Sequence, residues 1–376
     1  MLIADTLTGE IKADVAPKGE PSYSRKIGDK GSVGVSVSLD SAPNASVDFH
    51  TYTRPGMYSW IVAFGDRIAQ AGPVWTYQVS DNDRTLDVSC GGLLSLFARR
   101  VTRNPNGHTA IVDPSEDLTY TGLSLRGIMR QLVADNMAQQ HYALPVVLPA
   151  AEAGTAERTY YGYSLKSIAD NMKDLSEVIN GPEFDFAPEF TSGGKFLQWS
   201  LLIGNPMLGD QQSNAVWDYG AERAPVGHID VDVDGSAAPV TRVWVKGEGT
   251  ERAMRSGFAE DTSLVAQGYP ATDYVDGDHT TATVQQTLED YADADLRDFR
   301  YPMEKWSCDV HIAETAGMEH APALGNWQLG DAPMFAVDRH PWLPRDTYRR
   351  RILGYSNGSA STITLELSEA PESGAS

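Results

Sequence analysis

The stretch 57–90, MYSWIVAFGDRIAQAGPVWTYQVSDNDRTLDVSC, decides the fold class. It divides into three runs, about 57–64, 67–79 and 84–90, joined by Gly65-Asp66 and by the polar SDNDR. Short runs rich in β-branched and aromatic residues, bounded by turn formers, read as strands. Three such runs with short joints predict an antiparallel meander. Gly72-Pro73 lies inside the second run. Proline cannot donate to a ladder, so a bulge or a sheet edge is expected there. Upstream, SVGVSVSL (32–39) alternates strictly, with Val33, Val35, Val37 and Leu39 on one face, which is strand period.

Working outward, LLSLFARRV (93–101) reads as one or two helical turns and 103–119 as loop. Two helices follow, entered by YTGLSLRGI (120–128) and YYGYSLKSI (160–168). Ser124 and Ser164 are expected to cap them, since a serine oxygen accepts the free N–H groups of a first turn. Leu125, Ile128, Leu132 and Val133 make one apolar stripe, and Leu165, Ile168, Met172, Leu175 and Ile179 the other. Gly181 is the expected stop of the second helix. EFDFAPEF (183–190) and GKFLQWSLLIG (194–204) read as strands. A third helix is expected at about 281–299, with Val284, Leu288, Tyr291, Ala292, Leu296 and Phe299 at helical spacing. KWSCDVHI (305–312), NWQLGDAPMFAV (326–337) and YRRRILGYSNGSASTITLEL (348–367) return to strand. The fold class is therefore α+β, mainly antiparallel β, in three regions: 1–105, 106–225 and 226–376. Discontinuous packing between them is expected.

The chain has 376 residues, 41% of them apolar, enough for two or three domains with sizeable cores. No apolar run approaches the roughly 20 residues of a membrane span. The start, MLIADTLTGEIKAD, shows no signal-peptide pattern. Cys90 and Cys308 make neither a disulfide framework nor a zinc site and fit folding in a reducing cytoplasm. A formal charge of −21 argues against a protein that wraps nucleic acid.

HIDVDVDGSA (228–237) opens like a calcium loop, with Asp230, Asp232, Asp234 and Gly235. The twelfth position must then supply a bidentate Glu, and it is Thr241. Ile229, Val231 and Val233 alternate with the aspartates, so a strand with an acidic face, turning at Asp234-Gly235 into the strand around Val243 and Val245, is expected instead. Gly354-Tyr355-Ser356-Asn357-Gly358 fits G-x-S-x-G, but that motif needs a following helix. STITLEL alternates here, so a hairpin at Asn357-Gly358 is expected and Ser356 is not a nucleophile. Glu183 and Asp185 share a strand face, as glycosidase carboxylates can; a solvated face is the plainer reading. His311, Glu314, Glu319 and His320 match no zinc spacing. No cofactor is expected. Arg349, Arg350 and Arg351 admit two readings, an edge strand blunted by charge or a subunit contact through forked pairing with carboxylates.

The order of features resembles a family of minor tail proteins from siphophages of actinobacteria, the hub-like proteins of the tail tip. The resemblance rests on ADTLTGEIKADVAP (4–17), SYSRKIGDKGSVGVSVSL (22–39), YTGLSLRGIMRQLV (120–133) and YGYSLKSIADNMKDLSEVINGPEFDF (161–186). It continues through VWDYGAE (216–222), TRVWVKGEGTE (241–251), GYPATDYV (268–275), TLEDYADADLRDFRYPMEKW (287–306), LGD (329–331) and RRRILGYS (349–356). It implies a non-enzymatic virion protein at the tail tip, a homotrimeric ring closing the tail tube. Each chain is expected to hold two β-barrel-like domains around a helix-containing middle region, so that three chains show six similar faces. Implied partners are other copies of the chain, a distal tail protein or tube ring, the tape measure protein, and other minor tail or receptor-binding proteins. DNA is met only in transit, and no membrane anchor is expected. Asp230, Asp232 and Asp234 are candidates for an acidic channel face, because repulsion keeps phosphates from sticking. Arg349 to Arg351 are candidates for the subunit contact, and Trp60, Trp75, Trp244, Trp306, Trp327 and Trp342 for apolar anchors. A distal-tail ring is the first alternative, against which the long helical middle region speaks. A glycan-binding or wall-degrading tail module, with aromatic strands lining a sugar site, is the second.

Overall fold

The computed structural model describes residues 1–105, 111–178, 180–191, 193–220, 224–280, 282–311, 321–358 and 362–370. The meander is present as Tyr58–Phe64, Arg67–Ser80 and Thr85–Gly91, all antiparallel. Gly72-Pro73 leaves the long strand continuous, and the expected bulge falls just beyond it, where the register shifts between Val74 and Thr76. Gly72-Pro73 marks the place where pairing passes from one neighbour to the other: Pro73 is the last residue opposite Tyr58–Phe64, and Val74 the first opposite Thr85–Gly91. The missing proline donor falls at this hand-over, and Gly72 is required because a Cβ there would sit 1.8 Å from the Gly91 carbonyl oxygen.

Six strands close into a barrel. In order around it they are Met334–Val337, Val216–Tyr219, Val226–Asp234, Met303–His311, Thr362–Glu369 and Asp346–Asn357, the last pairing back to the first. Asp346–Asn357 is long enough to serve three neighbours. Its first half pairs with Met334–Val337, Arg350 onward with Thr362–Glu369, and Gly354 to Ser356 with Ser22–Lys26. Through that last pairing the sheet runs on into Ser32–Ser38, the meander, Leu2–Asp5 and Ile11–Asp14. Among the described residues no pairing closes this second run on itself.

Contacts divide the chain into two compact units, 1–229 with 308–376, and 230–307. The helices expected in the middle region pack in the first. Leu125–Ala138 starts where expected: Ser124 Oγ accepts from Gly127 N at 3.0 Å, and Ile128, Met129, Leu132 and Val133 are buried. They share a core with Phe97, Met172, Phe184, Phe186 and Trp199.

The second helix corrects the sequence reading. It spans Ile168–Ser176, and its cap is Ser167, whose Oγ accepts from Asp170 N at 3.0 Å and donates to Asp170 Oδ2 at 2.7 Å. Ser164 instead ends a 3-10 turn, and Leu165 takes a left-handed conformation (φ 48°) with its side chain half in solvent. The helix stops short of Gly181, and Ile179 lies outside the described residues. Both serines offer the same capping chemistry, but only starting at Ile168 lays Ile168, Ala169, Met172 and Leu175 against the core. Ser167→Ala is expected to cost about 1 kcal/mol, and Ser164→Ala clearly less, read as shifts in urea midpoint. Equal shifts would reinstate Ser164 as the cap.

The second unit has a three-stranded sheet, Ser256–Glu260, Arg242–Lys246 and Asp273–Asp276, under the helix Gln285–Asp298. Alternation in the central strand turns Val243 and Val245 toward Leu288 and Ala292 of the helix. Gly257 lets the helix approach, since a Cβ there would meet the Leu288 carbonyl at 2.1 Å. The hairpin expected at Asp234-Gly235 does not form. Arg242–Lys246 pairs with Ser256–Glu260 and Asp273–Asp276, and Val226–Asp234 pairs in the barrel. Asp234 Oδ1 accepts from Ser236 N, an Asx turn that bends the chain away, and Val240 N is taken by Phe299 O.

Candidate functional site

The strongest polar constellation is built on the strand Phe184–Phe190 and the residue before it. Period two puts Glu183 and Asp185 on one side, and each receives an arginine from a distant part of the chain. Arg25, on Ser22–Lys26, bonds Asp185 through Nε (3.0 Å) and Nη2. Arg351, on Asp346–Asn357, forks onto Glu183, with Nη1 to Oε1 at 2.9 Å and Nη2 to Oε2. Arg351 Nη2 also bonds Leu208 O, and Glu183 Oε2 accepts from Leu208 N at 2.8 Å. Tyr355 joins the group, accepting from Arg25 at 3.4 Å and donating to Ala69 O at 2.7 Å. Burial is the largest influence on Arg25 and would lower its pKa, but the Asp185 charge, Tyr355 and the hydrogen bonds to both together outweigh it and hold the guanidinium above its ordinary value. Burial raises the Tyr355 phenol, which stays neutral.

This arrangement corrects the reading of Glu183 and Asp185 as a solvated face. Asp185 is 5% exposed, and each carboxylate is committed to a guanidinium, so neither is placed to move a proton to a sugar. What the pairs do is mechanical: they tie the first, middle and last β segments together.

The same geometry places the arginine triplet. Arg351 is 5% exposed and bound to Glu183, and Arg350 is buried. Arg349 is half-buried, with Nη1 donating to Ser213 O and Ala332 O at 2.9 and 2.7 Å. Asp230, Asp232 and Asp234 are all exposed along one strand. Hydrogen bonds from Ser236 hold Asp234 below the usual carboxylate range. Thr241, the residue at the twelfth loop position, donates its hydroxyl to Thr272 O. Among the described residues no three His, Cys, Asp or Glu side chains gather as a metal site; Glu314, Glu319 and His320 lie outside them. Ser356 sits within a strand paired to Thr364, as its hairpin reading requires. Burial pushes Cys90 up to about 12 and raises Cys308, so neither is a reactive thiolate. Of the six tryptophans considered as anchors, Trp60, Trp306 and Trp327 are core residues. Trp75 is half-covered by the Arg99 guanidinium at 3.8 Å, while Trp244 and Trp342 face solvent. No helix among the described residues is long and apolar enough to cross a membrane.

No family model and no curated protein sequence matches the chain. Solved structures do match. The tail protein from Neisseria meningitidis MC58 superposes with a TM-score of 0.58 at 12% identity, over 98% of this chain and 96% of that one. The prophage MuSo2 43 kDa tail protein from Shewanella oneidensis gives 0.55 at 11% identity, over 99% of both chains. Prophage tail protein gp18 from Listeria monocytogenes EGD-e gives 0.51 at 12%, over 99% and 95%. The chain shares the fold of phage tail proteins. At such identity the likeness is one of architecture.

Proposed function

We propose that the protein is a structural subunit of a bacteriophage tail, the hub of a siphophage tail tip, with no enzymatic activity. The observation that carries this reading is the near end-to-end match to tail proteins, which leaves little of this chain outside the shared architecture. In this reading three copies form a ring closing the tail tube. The closed six-stranded barrel is one of two related β regions, and the open run from Ser22–Lys26 to Ile11–Asp14 is the other, so three chains match a six-fold tube. The ring meets a distal tail protein or tube ring on one side, carries other minor tail or receptor-binding proteins, contacts the tape measure protein, and passes DNA on ejection. Asp230, Asp232 and Asp234 supply exposed negative charge for a channel wall. Of the arginine strand, half-buried Arg349 is the member left to reach a neighbouring copy. Commitment of Glu183 and Asp185 to arginines supports a role without bond-making.

Imaging of intact particles that resolves the tail tip tests the proposal. Three copies of the chain about the tail axis are expected. Six copies would turn the assignment to a distal-tail ring, and absence of the chain from the tail would end it.

A further inference from the structure

In the second unit the helix Gln285–Asp298 covers one face of the three-stranded sheet, and the register lays out the other face in rows. Trp244 lies opposite Phe258 on one side and Val275 on the other, and Arg242 lies opposite Glu260 and Asp273. Lys246 and Ser256 make a third row. Period two turns all of these away from Val243, Val245 and Ala259, which are buried under the helix. The middle row is apolar and open: Trp244 and Phe258 are each 42% exposed, and Val275 is 51% exposed. The indole is nevertheless held in place. Its ring packs on Phe258 at 4.5 Å, and Nε1 donates to Asp273 Oδ1 at 3.2 Å. Beside it Arg242 Nε donates to Glu260 Oε1 at 2.6 Å. Among the described residues the second oxygens of Glu260 and Asp273 and the Nη groups of Arg242 make no hydrogen bond.

Size and charge narrow what this face can take. Three strands about 4.8 Å apart, with some five residues each at about 3.3 Å, make a surface on the order of 200 Å². That is well below the roughly 800 Å² that each side of a stable protein contact buries. The outward charges of the three strands, Arg242, Lys246, Glu260 and Asp273, cancel, whereas a nucleic acid or other polyanion needs an excess of positive charge. A small apolar molecule takes a concave site that encloses it, and a sheet face does not. A ligand that lies flat on an aromatic ring and bonds around its rim meets every condition. A sugar ring is of this kind. The C–H groups of one of its faces carry partial positive charge toward the negative face of an indole. Its hydroxyls donate to carboxylates and accept from a guanidinium.

We propose that this face binds a neutral oligosaccharide. One sugar ring stacks on Trp244, with Phe258 and Val275 beside it, and its hydroxyls donate to Glu260 and Asp273 and accept from Arg242. The site belongs to the second unit alone and stands independently of the hub reading above.

Isothermal titration of the purified full chain tests it, with cellohexaose, chitohexaose, maltohexaose and mannohexaose as neutral probes and hexagalacturonate as the anionic one. At least one neutral probe is expected to bind with a Kd below about 1 mM, and more tightly than hexagalacturonate. Trp244→Ala should weaken that binding about tenfold, the size of one lost aromatic stack. Trp244→Phe, which keeps a ring, should recover part of the loss. Val275→Glu, which sets a charge in the apolar row, should weaken binding as well. Trp342→Ala, at an exposed tryptophan outside this sheet, should leave it unchanged. The substituted side chains all reach solvent, so thermal midpoints should stay together. Failure of every neutral probe to bind below about 1 mM, preference for hexagalacturonate, or binding indifferent to Trp244→Ala overturns the proposal. Sedimentation velocity supplies the other arm: self-association that Trp244→Ala abolishes would make the face a protein contact and overturn it too.

Discussion

Asp185→Ala is expected to destabilise the first unit by about 3–5 kcal/mol, the loss usual when one partner of a buried ion pair is removed. The cause is Arg25, whose side chain is 13% exposed and would be left charged with no carboxylate. The guanidinium cannot shed its proton to escape. Arg25→Met with Asp185→Ala should recover much of the loss, because removing both charges also removes the uncompensated one. Urea unfolding followed by tryptophan fluorescence gives the comparison. A single-variant loss under about 1 kcal/mol would mean that water reaches the pair, and the tie between first and middle segments would be weak.

Leu288→Ala is expected to cost about 2–5 kcal/mol, the range for truncating a buried leucine, and to act on the second unit alone. Val240, Val243, Val245, Ala259, Leu288 and Ala292 are its buried cluster, and Leu288 is fully covered. A core that small has little stability in reserve. In hydrogen exchange, amides of Arg242–Lys246 and Ser256–Glu260 should lose protection while those of Tyr58–Phe64 keep theirs. Loss in both units would show that the two fold as one.

Local pattern made the meander, the Ser124 cap and the helix around Leu288 legible, because strand alternation and helical spacing act over a few residues. It failed where the deciding partner is distant. Ser164 and Ser167 are both good caps, and only the core choosing Ile168 over Leu165 separates them. The Arg25–Asp185 and Arg351–Glu183 pairs join residues 160 and 168 positions apart, and nothing in either neighbourhood names the other. For that reason Asp185 read as solvated when it is buried. The resemblance implied barrel-like domains, but local pattern could not name the strands of this barrel: they come from 216–234, 303–311 and 334–369, with most of 230–307 packed as a second compact unit. Trp342 stood among six tryptophans that the sequence could not rank; exposure separates it from Trp60 and Trp306.

Ribosomes make Ser22–Lys26 more than 300 residues before its neighbour at Gly354 to Ser356. Until that neighbour emerges, one margin of the N-terminal sheet has no partner, and such margins recruit stray chains. Pairings so far apart in sequence also form slowly. A truncated translation product ending before 346 would lack the strand that joins barrel to meander, together with Arg351 and Tyr355. Prematurely terminated chains are thus left with an open barrel that nothing joins to the meander.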